Sequence, residues 1–409
     1  MASQINASNS GFGGIVSTGD SSGVLQLQAA GTTIATIQST GLNLGSNGVV
    51  FSDSSSQTAA ASPYVLKNRI INGAMVIDQR NAGASVTPAN GGADYIYTLD
   101  RWRVFSIANS KFSVQQNAGS VTPPAGFTNY LGITSLAATS VGSTDLYLLN
   151  QRIEGFNFAD LNWGTANAQT VTLSFRVYSS LTGTFGGALQ NSAVNRTYPF
   201  TYTISSANTW TTISVTIAGD TSGTWIGATN GAGCSVQFSL GAGSTYMGTA
   251  GAWASAAYFS ATGATSVVGT NGATFYITGV QLEVGTSATP FERRLYNQEL
   301  ANCQRYCFVQ SGGGNKRHFV SGNVSGTTAF PTTKFPVTMR TGPSLTISSA
   351  GHFTFETYTS STQTCTGIST NTSTSDEMTV AVSVASSLAT GGNVLGSNAS
   401  AQVIFSAEL

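Results

Sequence analysis

Residues 170–178 read TVTLSFRVY. Val171, Leu173, Phe175 and Val177 recur at every second position, so all four fall on one face of a strand. The pattern repeats on either side. Trp210–Ile217, Ser235–Leu240 and Thr274–Leu282 read as further strands, and Tyr97–Phe105 alternates after Asp100. Lys67–Ile77 mixes polar and apolar residues, as a strand leading into a domain does. Pro63, after an Ala/Ser run, marks where that domain begins. Short, regularly spaced strands without helical periodicity predict a β-sandwich or jelly roll over residues 63–290.

Composition agrees with an all-β chain. The 409 residues include 47 glycines and are 41% hydrophobic but only 8% charged. Lys+Arg and Asp+Glu are equal at 16 each. Such a chain is not disordered, and it has no basic excess for nucleic acid or an anionic membrane. A surface of hydroxyls and amides at zero net charge invites self-association, so assembly into something larger is expected. The N-terminal MASQINASNS has no basic n-region and no apolar run, so no signal peptide is expected. No window nears the roughly 20 apolar residues of a membrane span. Cys234, Cys303, Cys307 and Cys365 lack zinc-ligand spacing and read as reduced, buried thiols.

Residues 1–62 carry short β pieces separated by Gly/Asn/Asp turns. Leu25, Leu27, Ile34, Ile37, Leu42, Leu44, Val50 and Phe51 supply their apolar side chains. So few cannot bury a core in one copy. Three chains wound about one axis would bury them together and cover the strand edges. The alternative is a flexible Ser/Gly linker.

Residues 281–307 hold Glu283, Glu292, Arg293, Arg294, Glu299 and Arg305, a dense run for this chain. Thr289-Pro290-Phe291-Glu292 reads as a capping box with Pro at the first helical position. It predicts a connector helix over 291–307 with Tyr296, Leu300, Cys303 and Cys307 on one face and the charges outward; Gln304–Gln310 reads equally as the start of a strand, which leaves the helix end open. The charges would form ion pairs between neighbouring elements or subunits. Residues 308–409 follow as a smaller C-terminal β-sandwich, with strands at Arg317–Val320, Glu377–Val384 and Ala401–Phe405.

Catalytic patterns are missing. His318 and His352 sit in no metal-ligand spacing, and no nucleophile-elbow, phosphate-loop or dinucleotide fingerprint occurs. Asp94 and Asp100 are a pair of acids that chance alone supplies. Neither a catalytic residue, a metal nor a cofactor is expected. Trp102 and Trp210 lie in strands and read as core. Trp225 and Trp253 occur in Gly-rich turns, where they serve either as scaffold or as sugar-stacking platforms. Lys316, Arg317 and His318 form a basic tip, either solvated decoration or a receptor contact.

The string GDSSGVLQLQAAGTTIATIQSTGL (19–42), with GVVFSDSSSQ (48–57), resembles the shaft of tail fibre proteins of tailed bacteriophages. NRIINGAMVIDQRN (68–81) and GVQLEVGTSATPFERR (279–294) bracket a segment similar to the carbohydrate-binding-module-like jelly roll of phage tail proteins. The resemblance implies a homotrimeric virion fibre, made in the host cytoplasm and attached to a tail or capsid protein through its N-terminus. It would adhere to a host-surface glycan or protein without catalysis. A head fibre or decoration protein without a receptor, and a polysaccharide depolymerase, are the rival readings.

Overall fold

The computed structural model describes residues 3–7, 24–29, 31–38, 41–43, 49–50, 56–57, 67–89, 91–92, 94–312, 314 and 316–409. The chain divides into two compact units, residues 1–65 and 66–409.

In the first unit, β1 (Ser3–Ala7), β2 (Leu25–Ala29), β3 (Thr32–Gln38) and β4 (Gly41–Asn43) form a four-stranded sheet in that order. Only β1 and β2 run parallel; β5 (Val49–Val50) and β6 (Ser56–Gln57) pair separately. Register places Leu25 opposite Ile37, Ile37 opposite Leu42, and Leu27 opposite Ala35. These cross-strand neighbours share one face. Of them only Ala35 is buried, while Ile37 is 42% and Leu42 59% exposed. Ile34, the unpaired residue at the β2–β3 bulge, is exposed too. Leu44 and Phe51 lie outside the described residues, and of Val50 only the strand backbone is described.

The second unit begins with the sandwich. Its strands in chain order are β7 (Ile96–Tyr97), β8 (Arg103–Ser106), β9 (Phe112–Gln116), β10 (Leu131–Ser135), β11 (Leu146–Glu154) and β12 (Val171–Ser179). Then come β13 (Gly183–Asn191), β14 (Thr197–Ile204), β15 (Thr211–Ile217), β16 (Ala232–Ala242), β17 (Met247–Gly248), β18 (Ser260–Ala261) and β19 (Thr274–Val284). One sheet runs β15-β12-β19-β10-β9 and the other β14-β13-β16-β11-β8-β7. Both are antiparallel throughout. The inward face of β12 (Val171, Leu173, Phe175, Val177) meets Phe185, Phe200 and Phe238 of the opposite sheet in one core, as the period-2 pattern requires.

One expected strand is absent and another is interrupted. Lys67–Ile77 makes no strand, and its backbone is held by side chains instead. Asn68 accepts from Ile70 N–H and Leu282 N–H, and Gln151 accepts from Ile71 N–H. Gly73 packs so closely on the Val280 carbonyl that a Cβ there would lie 2.2 Å from its oxygen. The run Tyr97–Phe105 is broken between β7 and β8 by a turn in which Arg101 adopts φ 69°.

The connector differs as well. The helix α1 covers only Tyr296–Gln304. The would-be capping hydroxyl of Thr289 donates to Glu283 (2.6 Å), and Glu292 N–H donates to Gln281 (2.8 Å). The strap before the helix is therefore tied to the sheet rather than to itself. Tyr296 is exposed, and Glu299, expected outward, is 7% exposed.

β20 (Cys307–Ser311), β21 (Lys316–Ser325), β22 (Thr328–Lys334), β23 (Ser344–Ile347), β24 (Phe353–Thr357), β25 (Thr362–Ser373), β26 (Glu377–Val384), β27 (Gly392–Gly396) and β28 (Gln402–Ser406) complete the chain. The C-terminal strands close further than a sandwich. β21-β22-β26-β25-β24-β27 form a closed barrel beside a three-stranded sheet, β20-β28-β23. Bulges in β21 and β25 bend those strands, and closure leaves the barrel no free edge. All four cysteines are free and buried. Among the described residues, no helix is long and apolar enough to cross a membrane.

Candidate functional site

Among the described residues, few of the acids are free to act. Glu154 takes Arg305 in a two-pronged pair (2.6 and 2.9 Å) and the Tyr306 hydroxyl. Asp220 takes Arg196 (2.5 and 2.8 Å), and Glu283 takes Thr289 and Lys67. Glu299 accepts from Asn72 N–H and from Arg294, which also bonds Glu292. Of the charge run of 281–307, Glu283, Glu292, Arg294, Glu299 and Arg305 are thus mortar inside the unit, and Arg293 alone of the run stays exposed. Burial pushes Asp100 up to about 6, against two hydrogen bonds from Gln79 and the pull of Arg80. Among the described residues, no group of three or more His, Cys, Asp or Glu is placed to hold a metal.

The structure brings Trp225 and Trp253 together, 5.6 Å apart and nearly perpendicular. Trp225 lies flat against Phe158 (5.6 Å, 26°) and its indole N–H donates to Asp220 (3.1 Å). Trp253 is edge-packed on Trp163 and Tyr198, and its N–H donates to the Ala218 carbonyl (2.8 Å). Both are half-buried, and their rings are largely spent on closing one end of the sandwich.

The basic tip comes apart. Lys316 and Arg317 are exposed at the start of β21, but His318 is 2% exposed, edge-on to Phe353 at 5.4 Å. Alternation fails here: the register of β21 shifts between Arg317 and Phe319, and His318 and Phe319 are both buried. Burial lowers the His318 pKa, Lys316 adds to this, and the Gly312 carbonyl opposes it. The unfolded chain therefore takes up a proton near pH 6.5, and the folded barrel takes it up only at lower pH. This contribution to stability is complete above about pH 6.5 and falls as the pH drops below it. Asp100, raised to about 6, acts with the opposite sign in this range, so the loss is read as a difference between two proteins. Thermal unfolding is expected to show His318→Gln gaining stability relative to the parent chain as the pH falls from about 7 to about 5; parallel curves would place the cause elsewhere.

A second aromatic group, missed in the sequence, lies on the outer face of the five-stranded sheet. Tyr178 of β12 stacks on Tyr276 of β19 (5.4 Å, 6°), and Tyr276 stacks on Tyr130 (5.1 Å, 26°). Trp210, expected in the core, borders both Tyr178 and Tyr130 at 5.5 Å and donates to the Thr122 carbonyl (2.9 Å). Tyr130 and Tyr276 are covered, while Tyr178 and Trp210 stay half-exposed. In register with this row lies a second, Thr212–Arg176–Thr278. Arg176 and Thr212 line a depression of about 100 Å³ together with Ser174, Phe127, Thr289 and Phe291. A β-bulge shapes its floor: Gly279 takes φ 62°, and a Cβ there would strike the Phe127 ring at 2.6 Å. The signal available in sequence was the outward half of TVTLSFRVY, Arg176 and Tyr178, but periodicity alone does not tell a bare face from a covered one.

No protein-family model matches the chain, and no curated protein matches it. Solved structures similar to it include the enzymatically active domain of tailspike protein 4 of bacteriophage CBA120, at 10% identity and a TM-score of 0.30. That match covers 53% of this chain, which spans 21% of the tailspike chain's length. The family 11 carbohydrate-binding module of Clostridium thermocellum, in complex with a β-1,3-1,4-mixed-linked tetrasaccharide, matches at 12% identity and a TM-score of 0.25. It covers 51% of this chain and 100% of the module. TmCBM61 in complex with β-1,4-galactotriose matches at 8% identity and a TM-score of 0.26, covering 54% of this chain and 99% of that one.

Proposed function

We propose that this chain is a homotrimeric, non-enzymatic fibre of a tailed-phage virion, which adheres to a host-surface glycan through the outer face of its jelly roll. The observation that carries the reading is the half-exposed Trp210–Tyr178 pair beside Arg176, Ser174 and Thr212 of β12 and β15. A sugar presents an apolar face to rings and hydroxyls to polar groups, and a site of this kind offers both. Acids bound up in arginine, lysine and tyrosine contacts favour adhesion over hydrolysis. The N-terminal segment would hold the trimer contacts and the attachment to the particle. The support there is the bare apolar face at Ile37 and Leu42, which further copies would cover. Three copies would turn weak single-site binding into firm attachment.

Light scattering is expected to give three copies of the 42.0 kDa chain at full length and fewer after removal of residues 1–62. Monomers in both preparations would sink the fibre reading. In glycan-binding assays, Trp210→Ala is expected to weaken binding roughly tenfold or more. Equal binding by this variant would remove the sheet face as the site.

A further inference from the structure

We infer that the glycan bound on the sheet face is acidic, and that Arg176 takes the carboxylate of one sugar unit. The inference rests on the adhesion reading above and names its ligand class.

It begins from how this chain treats its basic groups. In the second unit Arg69, Arg80, Arg101, Arg196, Arg294, Arg305 and Lys67 each meet a carboxylate. Arg103 and Arg340 are held by Asn150 and by backbone carbonyls. Arg176, like Arg152 and Lys111, is half-buried with no side-chain ion pair, hydrogen bond or ring contact among the described residues, and of these three it is Arg176 that lines the depression, in mid-sheet. Its cross-strand neighbours are Thr212 and Thr278, both uncharged. At the rim, Arg293 lies over Phe127 (4.9 Å) and Phe291 (5.9 Å), two residues of the same depression, and it too has no carboxylate partner.

A guanidinium held on a strand presents a planar fork that matches a carboxylate with two parallel hydrogen bonds. Half-burial strengthens that pair relative to one in open water. Ser174 and Thr212 offer hydroxyls on either side, while Trp210 and Tyr178 take the apolar face of a neighbouring ring. A neutral sugar uses the rings and hydroxyls but leaves the charge of Arg176 unanswered. A uronic or nonulosonic acid unit answers it.

The test is calorimetry of the full chain against paired probes: oligogalacturonate, oligoalginate, hyaluronan fragments and sialylated lactosamine, each beside its carboxyl-reduced neutral counterpart. At least one acidic member is expected to bind about ten- to a hundredfold tighter than its neutral partner. Arg176→Gln should erase that difference without changing the unfolding midpoint. Arg176→Lys should restore part of it, and raised salt should narrow it. If acidic and neutral members bind equally and Trp210→Ala abolishes both, the groove stands and the acidic assignment falls. If no pair binds, or if neither Trp210→Ala nor Arg176→Gln alters binding, the groove itself is the wrong site and both readings fall.

Discussion

Glu408→Ala is expected to destabilise the 66–409 unit by about 3–5 kcal/mol, the cost of stranding buried charge. The Glu408 carboxylate sits between Arg80 (3.0 Å) and Arg101, all three side chains being largely buried. Arg101 also lies over the Tyr306 ring at 3.6 Å and donates to the Arg152 carbonyl (2.6 Å). Burial pulls its pKa down, and Glu408, with Tyr306 and Tyr97, more than offsets this, so the net shift is upward. Removing Glu408 leaves that burial without its main compensation, at a residue already held at φ 69°. Arg340 grips the same segment through the carbonyls of Ala407 (2.6 Å) and Glu408 (2.7 Å). The end of the chain is thus a clasp joining the barrel side to the sandwich. Glu408→Gln keeps an acceptor and should lose less than Glu408→Ala. Urea unfolding measures both. A loss under about 1 kcal/mol for Glu408→Ala would mean that water reaches the clasp and screens it.

This clasp shows why part of the molecule could be read in the sequence and part could not. Strands such as β12 and β26 announce themselves because burial on one face writes a period of two into neighbouring residues. A carboxylate at 408 that serves arginines at 80 and 101 leaves no local trace. Neither does Glu154 in its pairing with Arg305, nor Glu299 under Asn72. The helix start failed for the same reason. Thr289 and Glu292 form a sound capping pattern, but Glu283, Gln281 and Asn68 outbid the helix for their hydrogen bonds. Trp210 reads as core when taken as part of a strand, but it stands just before β15 and lies half-exposed against Tyr178. Of the residues first marked for receptor contact, Lys316 and Arg317 remain exposed, Trp225 and Trp253 help close the sandwich end, and His318 is enclosed.

Asn72→Ala should cost about 3 kcal/mol or more, though a sequence reading gives Asn72 no more weight than its neighbours. Its side chain donates to the carbonyls of Ile77 (2.8 Å) and Asp100 (3.0 Å) and accepts from Ile77 N–H (3.0 Å). Its own backbone donates to Glu299 and accepts from the fully buried Trp102 indole (3.0 Å). One residue therefore ties the loop 72–77, the turn at Asp100, the helix α1 and the core tryptophan. With the Ile77 carbonyl still held by the Asp100 N–H (3.3 Å), alanine strands two buried backbone groups, the Ile77 N–H and the Asp100 carbonyl, at about 1 kcal/mol or more each. It also sits at φ 57°, a left-handed conformation that costs a residue with a Cβ about 1–2 kcal/mol and that asparagine tolerates better. Asn72→Gly removes the second cost and keeps the first, so it should be more stable than Asn72→Ala by about 1 kcal/mol. Equal losses in the two variants would assign the effect to hydrogen bonding alone. Losses below about 1 kcal/mol in both would show that the loop repacks, and that the bracket of the jelly roll is held by Asn68 and Gln151 instead.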